Sequence, residues 1–470
     1  MSRRGYRRSS SGIFGKIFWV VVLLSLGLYW GYTRYFVFDP QRILDESVLK
    51  EKSFETNVVE IVSPKKGIKA YLFEDNTNPI VSISFMFKDA GLASDPDGEV
   101  GIANMAAALL SDGAGDLNAQ QFKEELEKRA VGLSFSAGMD DFGGSLLTTS
   151  DNQKEAYALL KSALTAPRFD AEDVARVKKQ LLIALKQQKE HPAGVLALDF
   201  AKEIYAGHPY SRNPVGIRND IVNITPEKLK TFVKNHLTRN NLIVGIAGAV
   251  SEERAGVIVD EIFGELPANG RITFVREAKI DFDGREKNIP GKFPQAVSSF
   301  VNPGLPRNDK DFYPLYIANH IFGGSGLSSR LSLSAREDEG LTYNIYTYLS
   351  LMTRASLLKG GFSSTPENFA RVQEIIRSEW NKMGQNGVTR KELDEAKNYL
   401  ISSYNLRFAS IADIADILVY MQKDNLGLDF LKKRNEYVKA VRLEDVNRVS
   451  KKFFNEKNLI FVNIGNLGEN

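Results

Sequence analysis

The sequence reads as an α+β protein: two homologous sheet-plus-helix domains preceded by an N-terminal transmembrane anchor. Three observations predict this. A stretch of the chain repeats, each copy runs through the same order of strand and helix patterns, and one uncharged apolar segment stands apart near the N-terminus. The repeat comes first because it decides the architecture. Glu227-Lys-Leu…Phe232…Asn241-Leu-Ile-Val-Gly-Ile-Ala-Gly248 recurs as Glu444-Asp-Val…Val449…Asn458-Leu-Ile-Phe-Val-Asn-Ile-Gly465. Glu227/Glu444, Asn241/Asn458, Leu242/Leu459, Ile243/Ile460 and Gly248/Gly465 are all 217 residues apart. Asp173-Val-Ala-Arg-Val-Lys-Lys-Gln-Leu and Glu392-Leu-Asp-Glu-Ala-Lys-Asn-Tyr-Leu form a second pair, 219 apart.

Each copy opens on a strand-type run, Ile80-Val-Ser-Ile-Ser-Phe-Met-Phe in the first and Gln295-Ala-Val-Ser-Ser-Phe-Val in the second. A small-residue helix, further strands, amphipathic helices and a last strand ending in Gly follow, the period of the apolar residues switching between two and 3.6. The spacing predicts domains over 55–265 and 290–470. Between them, 266–289 reads as a linker, entered through the Gly and Pro turn signals of Gly264-Glu-Leu-Pro-Ala-Asn-Gly270.

The anchor is expected at 17–33, IFWVVVLLSLGLYWGYT, between a basic arm (1–16) and a spacer (34–54). Seventeen uncharged residues stand at the short end of the roughly 17–25 that span a bilayer. Arg3, Arg4, Arg7, Arg8 and Lys16 before it favour a cytoplasmic N-terminus, and Trp19, Tyr29, Trp30, Tyr32 and Tyr35 suit the interfacial belts. A cleaved signal peptide, with Ser25-Leu-Gly27 as a poor cleavage site, is the competing reading, and Ser2-Arg-Arg-Gly-Tyr6 faintly resembles a twin-arginine signal. The expected location is the inner membrane, single-pass, with the body on the periplasmic side, or the periplasm after cleavage.

Six of the 61 basic residues (Arg3, Arg4, Arg7, Arg8, Lys16 and Arg34) precede residue 39, against none of the 58 acidic ones. The body, 55 basic to 58 acidic, is therefore mildly acidic, and no basic patch points to nucleic acid. There is no cysteine, which excludes disulfides, thiolate chemistry and Cys-ligated metals. The four histidines (His191, His208, His236, His320) include no two that are three to five residues apart, so a helical two-His metal site is not available.

Gly101-Ile-Ala-Asn104-Met-Ala-Ala107-Ala108-Leu-Leu-Ser-Asp-Gly113 has the frame of a zinc-binding helix, G-(aliphatic)-A-H-x-x-E-H, with its chemistry removed. In such a helix two imidazoles four apart face one metal and the Glu activates its water. Here Asn104, Ala107 and Ala108 replace the first His, the Glu and the second His. With Gly91, Phe122-Lys-Glu-Glu-Leu-Glu…Gly132-Leu-Ser-Phe-Ser-Ala137, Ala166-Pro-Arg-Phe169 and His208-Pro-Tyr-Ser…Pro214-Val-Gly216, the chain from 55 to 470 resembles the pitrilysin family. It is most similar to the short two-domain members of these inverzincin-type zinc peptidases, the mitochondrial processing peptidases and bacterial heterodimeric peptidases. The family's third zinc ligand, a Glu, falls near Ile183 or Ala184. The resemblance therefore implies that this chain holds no cofactor of its own.

The second half keeps what the first has lost. Phe322-Gly-Gly-Ser-Gly-Leu-Ser-Ser-Arg-Leu331 leads into Ala335-Arg336-Glu-Asp-Glu-Gly340-Leu-Thr-Tyr343. This resembles the family's glycine-rich loop (Gly323, Gly324, Gly326) and its Arg/Tyr pair, here Arg336 and Tyr343, which hold substrate over a zinc supplied by another domain or subunit. A guanidinium offers a planar fork of donors and a phenol one more. The resemblance implies a non-catalytic, substrate-positioning subunit of a heterodimeric zinc metallopeptidase. An H-x-x-E-H partner would carry the zinc, and an extended peptide would be the substrate. The alternative is a non-proteolytic binding or assembly protein of the same fold.

Overall fold

The computed structural model describes residues 57–467. The basic arm, the expected anchor at 17–33 and nearly all of the spacer lie outside the described residues. Among the described residues, no helix is long and apolar enough to cross a membrane.

Eleven strands of the described residues form two mixed sheets. The first holds β1 (Val58–Val62), β2 (Lys69–Glu74), β3 (Ile80–Phe87), β4 (Gly132–Ala137), β5 (Phe142–Thr149) and β6 (Leu242–Gly248), in the order β1-β2-β6-β3-β5-β4. The second holds β7 (Glu286–Pro290), β8 (Ala296–Pro303), β9 (Thr342–Met352), β10 (Ala355–Ser364) and β11 (Ile460–Gly465), in the order β7-β11-β8-β10-β9. Apart from β1, the two orders are the same. Each has a single parallel pair, β2 with β6 and β7 with β11, and antiparallel pairs elsewhere. The sequence repeat is thus a repeat of topology, and β7 takes up the last residues of the stretch read as linker.

Helices cover one face of each sheet. Over the first lie α1 (Ile102–Leu109), α2 (Gln153–Thr165), α3 (Ala171–Glu190), α5 (Pro226–His236) and α6 (Glu252–Phe263). Over the second lie α7 (Phe312–Asn319), α8 (Pro366–Asn386), α9 (Arg390–Ser402) and α11 (Leu443–Phe453). Local chemistry sets their ends. Pro226 and Pro366 open α5 and α8 at the position where a missing N–H costs nothing, and Thr389 and Glu392 cap α9 reciprocally. The second core centres on Trp380, which meets Phe300, Phe322 and Phe454 at ring separations of 5.0 to 6.0 Å.

The opposite faces are covered by exchange. The helix α4 (Pro192–Ile204) follows α3 in the first half, yet its Leu196, Phe200 and Ile204 pack on Val301, Ile460, Val462 and Ile464 of the second sheet. Its repeat-mate, α10 (Ile411–Lys423), follows α9 and lies on β6, β3 and β2 of the first, where Ala415, Leu418 and Met421 meet Phe73 and Ala247. Gln422 donates to Val244 O at 2.7 Å. Burying each large apolar side chain is worth about 2 kcal/mol, so each half depends on the other for one wall of its core. Burial on both faces also explains why β3 is apolar nearly throughout instead of alternating.

Polar contacts close the seam. The β9–β10 turn reaches the first half, where Thr353 N donates to Asp140 Oδ2 at 2.8 Å and Arg354 Nη2 to Asp89 Oδ1 at 2.8 Å. Tyr210 Oη donates to Asp140 and accepts from Arg354 N at 2.9 Å, and Lys423 pairs with Asp141.

Candidate functional site

The candidate site has two parts on different sheets: the degenerate helix α1 and the Arg336–Tyr343 pair. Helix α1 is held as a functional helix would be. Asp95, buried, accepts from Gly101 N at 2.7 Å and Ala103 N at 3.2 Å at the helix start. Burial pushes its carboxyl up to about 7, outweighing those two amides. Gly101 is in the left-handed region (φ 106°), and a side chain there would come within 2.9 Å of the Gly216 Cα. Only glycine fits. The Pro214-Val-Gly216 loop thus braces the helix, and Asn104 Nδ2 donates to Pro214 O at 3.4 Å. Ala107 is buried and Ala108 exposed, each presenting a methyl where the zinc motif has a carboxylate or an imidazole. Ile183 and Ala184 on α3, near which the third ligand is expected, are apolar, Ile183 exposed and Ala184 half-buried. Among the described residues no group of three or more His, Cys, Asp or Glu is placed to hold a metal ion. These side chains do not fit zinc.

Three of the four histidines have structural contacts. His208 Nδ1 accepts from Tyr210 N at 3.1 Å, which makes Nε2 the donor to Arg276 O at 2.8 Å. The His208-Pro-Tyr-Ser motif therefore ties the stretch after α6 to the seam through Tyr210. His236 stacks on Phe232 at 4.3 Å, and His320 on Tyr399 at 5.1 Å.

The structure brings Arg336 and Tyr343 together. Arg336, in the helical turn Leu333–Asp338, places its guanidinium carbon 4.9 Å from the Tyr343 ring centroid. Tyr343 is 80% exposed. It sits at a β-bulge: Ser363 pairs with Asn344 and Ser364 with Thr342, so Tyr343 has no cross-strand mate. A bulge re-aims the side chain it frees, and here the ring turns to the arginine. Both donor groups stay accessible: among the described residues the one ion pair of Arg336 is with the exposed Glu337, at 3.5 Å. The glycines serve this strand. A side chain at Gly323 would collide with Thr347 of β9, one at Gly324 would meet Asn319, and Gly326 turns through φ 65°. The close approach at Gly323 seats the loop against β9.

Sequence reasoning missed Asp95 and Lys359. On β10, Lys359 lies opposite Tyr348 and Val301, on the face that α4 partly covers. Its Nζ is 4.0 Å from the Phe200 ring centroid, no carboxylate pairs with it among the described residues, and burial lowers its pKa to about 8. Tyr346 and Tyr348 stack beside it at 6.1 Å. Directly opposite residues share a face of the sheet, but the register that makes Lys359 and Tyr348 opposite is not written in either strand alone.

Two braced but unequal halves, the first with Asn104, Ala107 and Ala108 on its small-residue helix, place the chain in fold beside the M16 peptidases and their non-peptidase homologues. Residues 223–400 match the family model described as the peptidase M16 inactive domain. The chain is 24% identical to the non-peptidase homolog YmxG of Helicobacter pylori over 84% of its own length and 90% of that protein's. It is also 24% identical to the uncharacterized zinc protease YmxG of Bacillus subtilis, over 61% of this chain and 69% of that one. The crystal structure of a peptidase M16 inactive domain from Pseudomonas fluorescens superposes with a TM-score of 0.80 at 26% identity, over 87% of this chain and 98% of that one. The periplasmic protease PqqL of Escherichia coli shares the fold, with a TM-score of 0.75 at 16% identity over 87% of this chain and 45% of its own.

Proposed function

We propose that this protein is the non-catalytic, substrate-positioning subunit of a two-chain zinc metallopeptidase acting on peptides or unfolded protein segments. The observation that carries the reading is the asymmetry of the site. Asn104, Ala107, Ala108 and either Ile183 or Ala184 stand where metal chemistry belongs, while Arg336 sits in contact with the accessible Tyr343, which lies at a bulge in an edge strand. In this reading a homologous H-x-x-E-H subunit supplies zinc, water and general base. Arg336 donates to a peptide carbonyl or carboxylate and Tyr343 to a carbonyl or developing oxyanion. The substrate is held extended, as a strand added to a sheet edge. The segment 17–33 tethers the complex to the inner membrane with its body on the periplasmic side, or is removed on export; its length, flanking charge and aromatic residues support this.

The test is reconstitution. The purified chain alone cleaves no peptide in a library, and mixing it with an H-x-x-E-H homologue from the same cell restores zinc-dependent cleavage. Full activity of that homologue by itself would sink the proposal and leave the binding or assembly role.

A further inference from the structure

A second site lies away from α1 and the Arg336–Tyr343 pair. Where α10 leaves the second half, a cavity of about 270 Å³ is lined by three arginines, Arg307, Arg407 and Arg434, and by Tyr313, Tyr404 and Asp424. Three guanidiniums face one carboxylate, which leaves two positive charges over. None of the three arginines forms an ion pair among the described residues. Arg434 is only 5% exposed, and its Nη1 donates to two neutral oxygens, Leu400 O at 2.7 Å and Asn435 Oδ1 at 3.0 Å. Its guanidinium carbon lies 4.3 Å from the Tyr404 ring centroid. Arg307 is sandwiched similarly, 4.2 Å from the Phe312 centroid and 5.2 Å from that of Phe430, with Nη2 donating to Tyr313 Oη at 3.1 Å. Aromatic faces thus hold both guanidiniums in fixed orientation, with donors left over.

A buried cation without a counter-charge is costly, and a protein keeps one where something else supplies the charge. Planar guanidinium forks match the oxygens of phosphate and carboxylate, and an excess of two charges matches a phosphate monoester, dianionic above its second pKa of about 6. The tyrosine and phenylalanine walls suit a flat or apolar body. The geometry points to a binding site for a phosphate monoester: its phosphate is held by Arg307, Arg407 and Arg434, and its body rests on the aromatic walls. Desolvation at Arg434, which lowers its pKa, agrees with a cation lacking a partner. The site does not depend on the proposed peptidase role, since it shares no residue with that site.

Titration calorimetry on the full-length chain tests it with three probes: phenyl phosphate, inorganic phosphate and succinate. Vesicles of phosphatidylcholine with and without phosphatidic acid form a fourth arm. Phenyl phosphate is expected to bind saturably and tighter than inorganic phosphate, and to weaken at least tenfold in Arg407→Ala and in Arg307→Gln. Arg407 is exposed, so its variant keeps the fold if Arg434→Met does not. Retention on phosphatidic acid vesicles that is lost in Arg407→Ala, without phenyl phosphate binding, makes a lipid headgroup the source of the same chemistry. Absence of saturable binding by either phosphate probe and by vesicles, affinity unchanged in both variants, or tighter binding of succinate than of phenyl phosphate overturns the assignment.

Discussion

The edge strands β4 and β9 hold equivalent places in their sheets, each at the end of the order and paired with one neighbour, and they present opposite chemistry. The exposed positions of β4 are Gly132, Ser134 and Ser136, with Ser134 hydrogen-bonded to Ser145 across the strand pair at 2.9 Å. Those of β9 include Tyr343, Tyr346 and Tyr348, backed by Arg336 and Lys359. The same contrast separates the helices that follow the opening strands. Helix α1 is preceded by a buried acid, Asp95, and α7 is followed by a buried base, His320. A duplicated frame has thus kept its path in both copies while only the second retains large, donor-rich side chains at its edge. Frame and chemistry are separable here: the braces around α1 persist although the ligands are absent.

The largest expected effect breaks the dependence of one half on the other. Lys423→Ala leaves Asp141 buried at the seam without its partner and should cost about 3 kcal/mol of unfolding free energy, read from denaturant titration. A loss below a tenth of that would mean the halves are not tied there.

The acid and the base sharpen the comparison through pH. Burial lowers the His320 pKa to about 4, from 6.5. Between those values the unfolded chain takes up the proton first, so His320 withdraws stability as pH falls through 6.5 toward 4, on the order of 3 kcal/mol in all. Asp95, raised to about 7, acts in the reverse direction: the folded chain takes up its proton first, so stability rises as pH falls from 7. Denaturation at pH 7 and 4.5 should show His320→Gln gaining on wild type at the lower pH and Asp95→Asn losing ground there. Parallel behaviour of all three would refute both assignments.

With the reconstituted partner, Arg336→Ala should lower kcat/KM by roughly 10- to 100-fold, the value of a charge-assisted hydrogen bond. Tyr343→Phe should lower it by about tenfold at most, and Ser136→Ala on β4 should leave it unchanged. Smallest is Gln422→Ala, which removes a bond to Val244 O and should cost about 1 kcal/mol in stability.

Much of this was legible in the chain. The offsets of 217 and 219 foretold two sheet-and-helix halves with the same succession of elements, and the runs at Ile80 and Gln295 became β3 and β8 almost residue for residue. The exchange of α4 and α10 was not legible, because an apolar stripe at helical spacing says that a helix packs and not on which sheet. Nor does a spacing of seven residues say that Arg336 meets Tyr343; the bulge that turns the ring depends on β10. Arg307, Arg407 and Arg434 stand far apart in sequence and look like ordinary surface charge until the fold assembles them.

The crossed helices carry a mechanical consequence. Parting the halves would strip α10 from the first sheet and α4 from the second, baring apolar surface on both. The two halves of the described residues are accordingly one interlocked body. Cutting the chain at the linker would leave two broken cores, each missing a wall, and in the two-chain peptidase proposed above an opening that admits substrate would have to hinge where the chains meet.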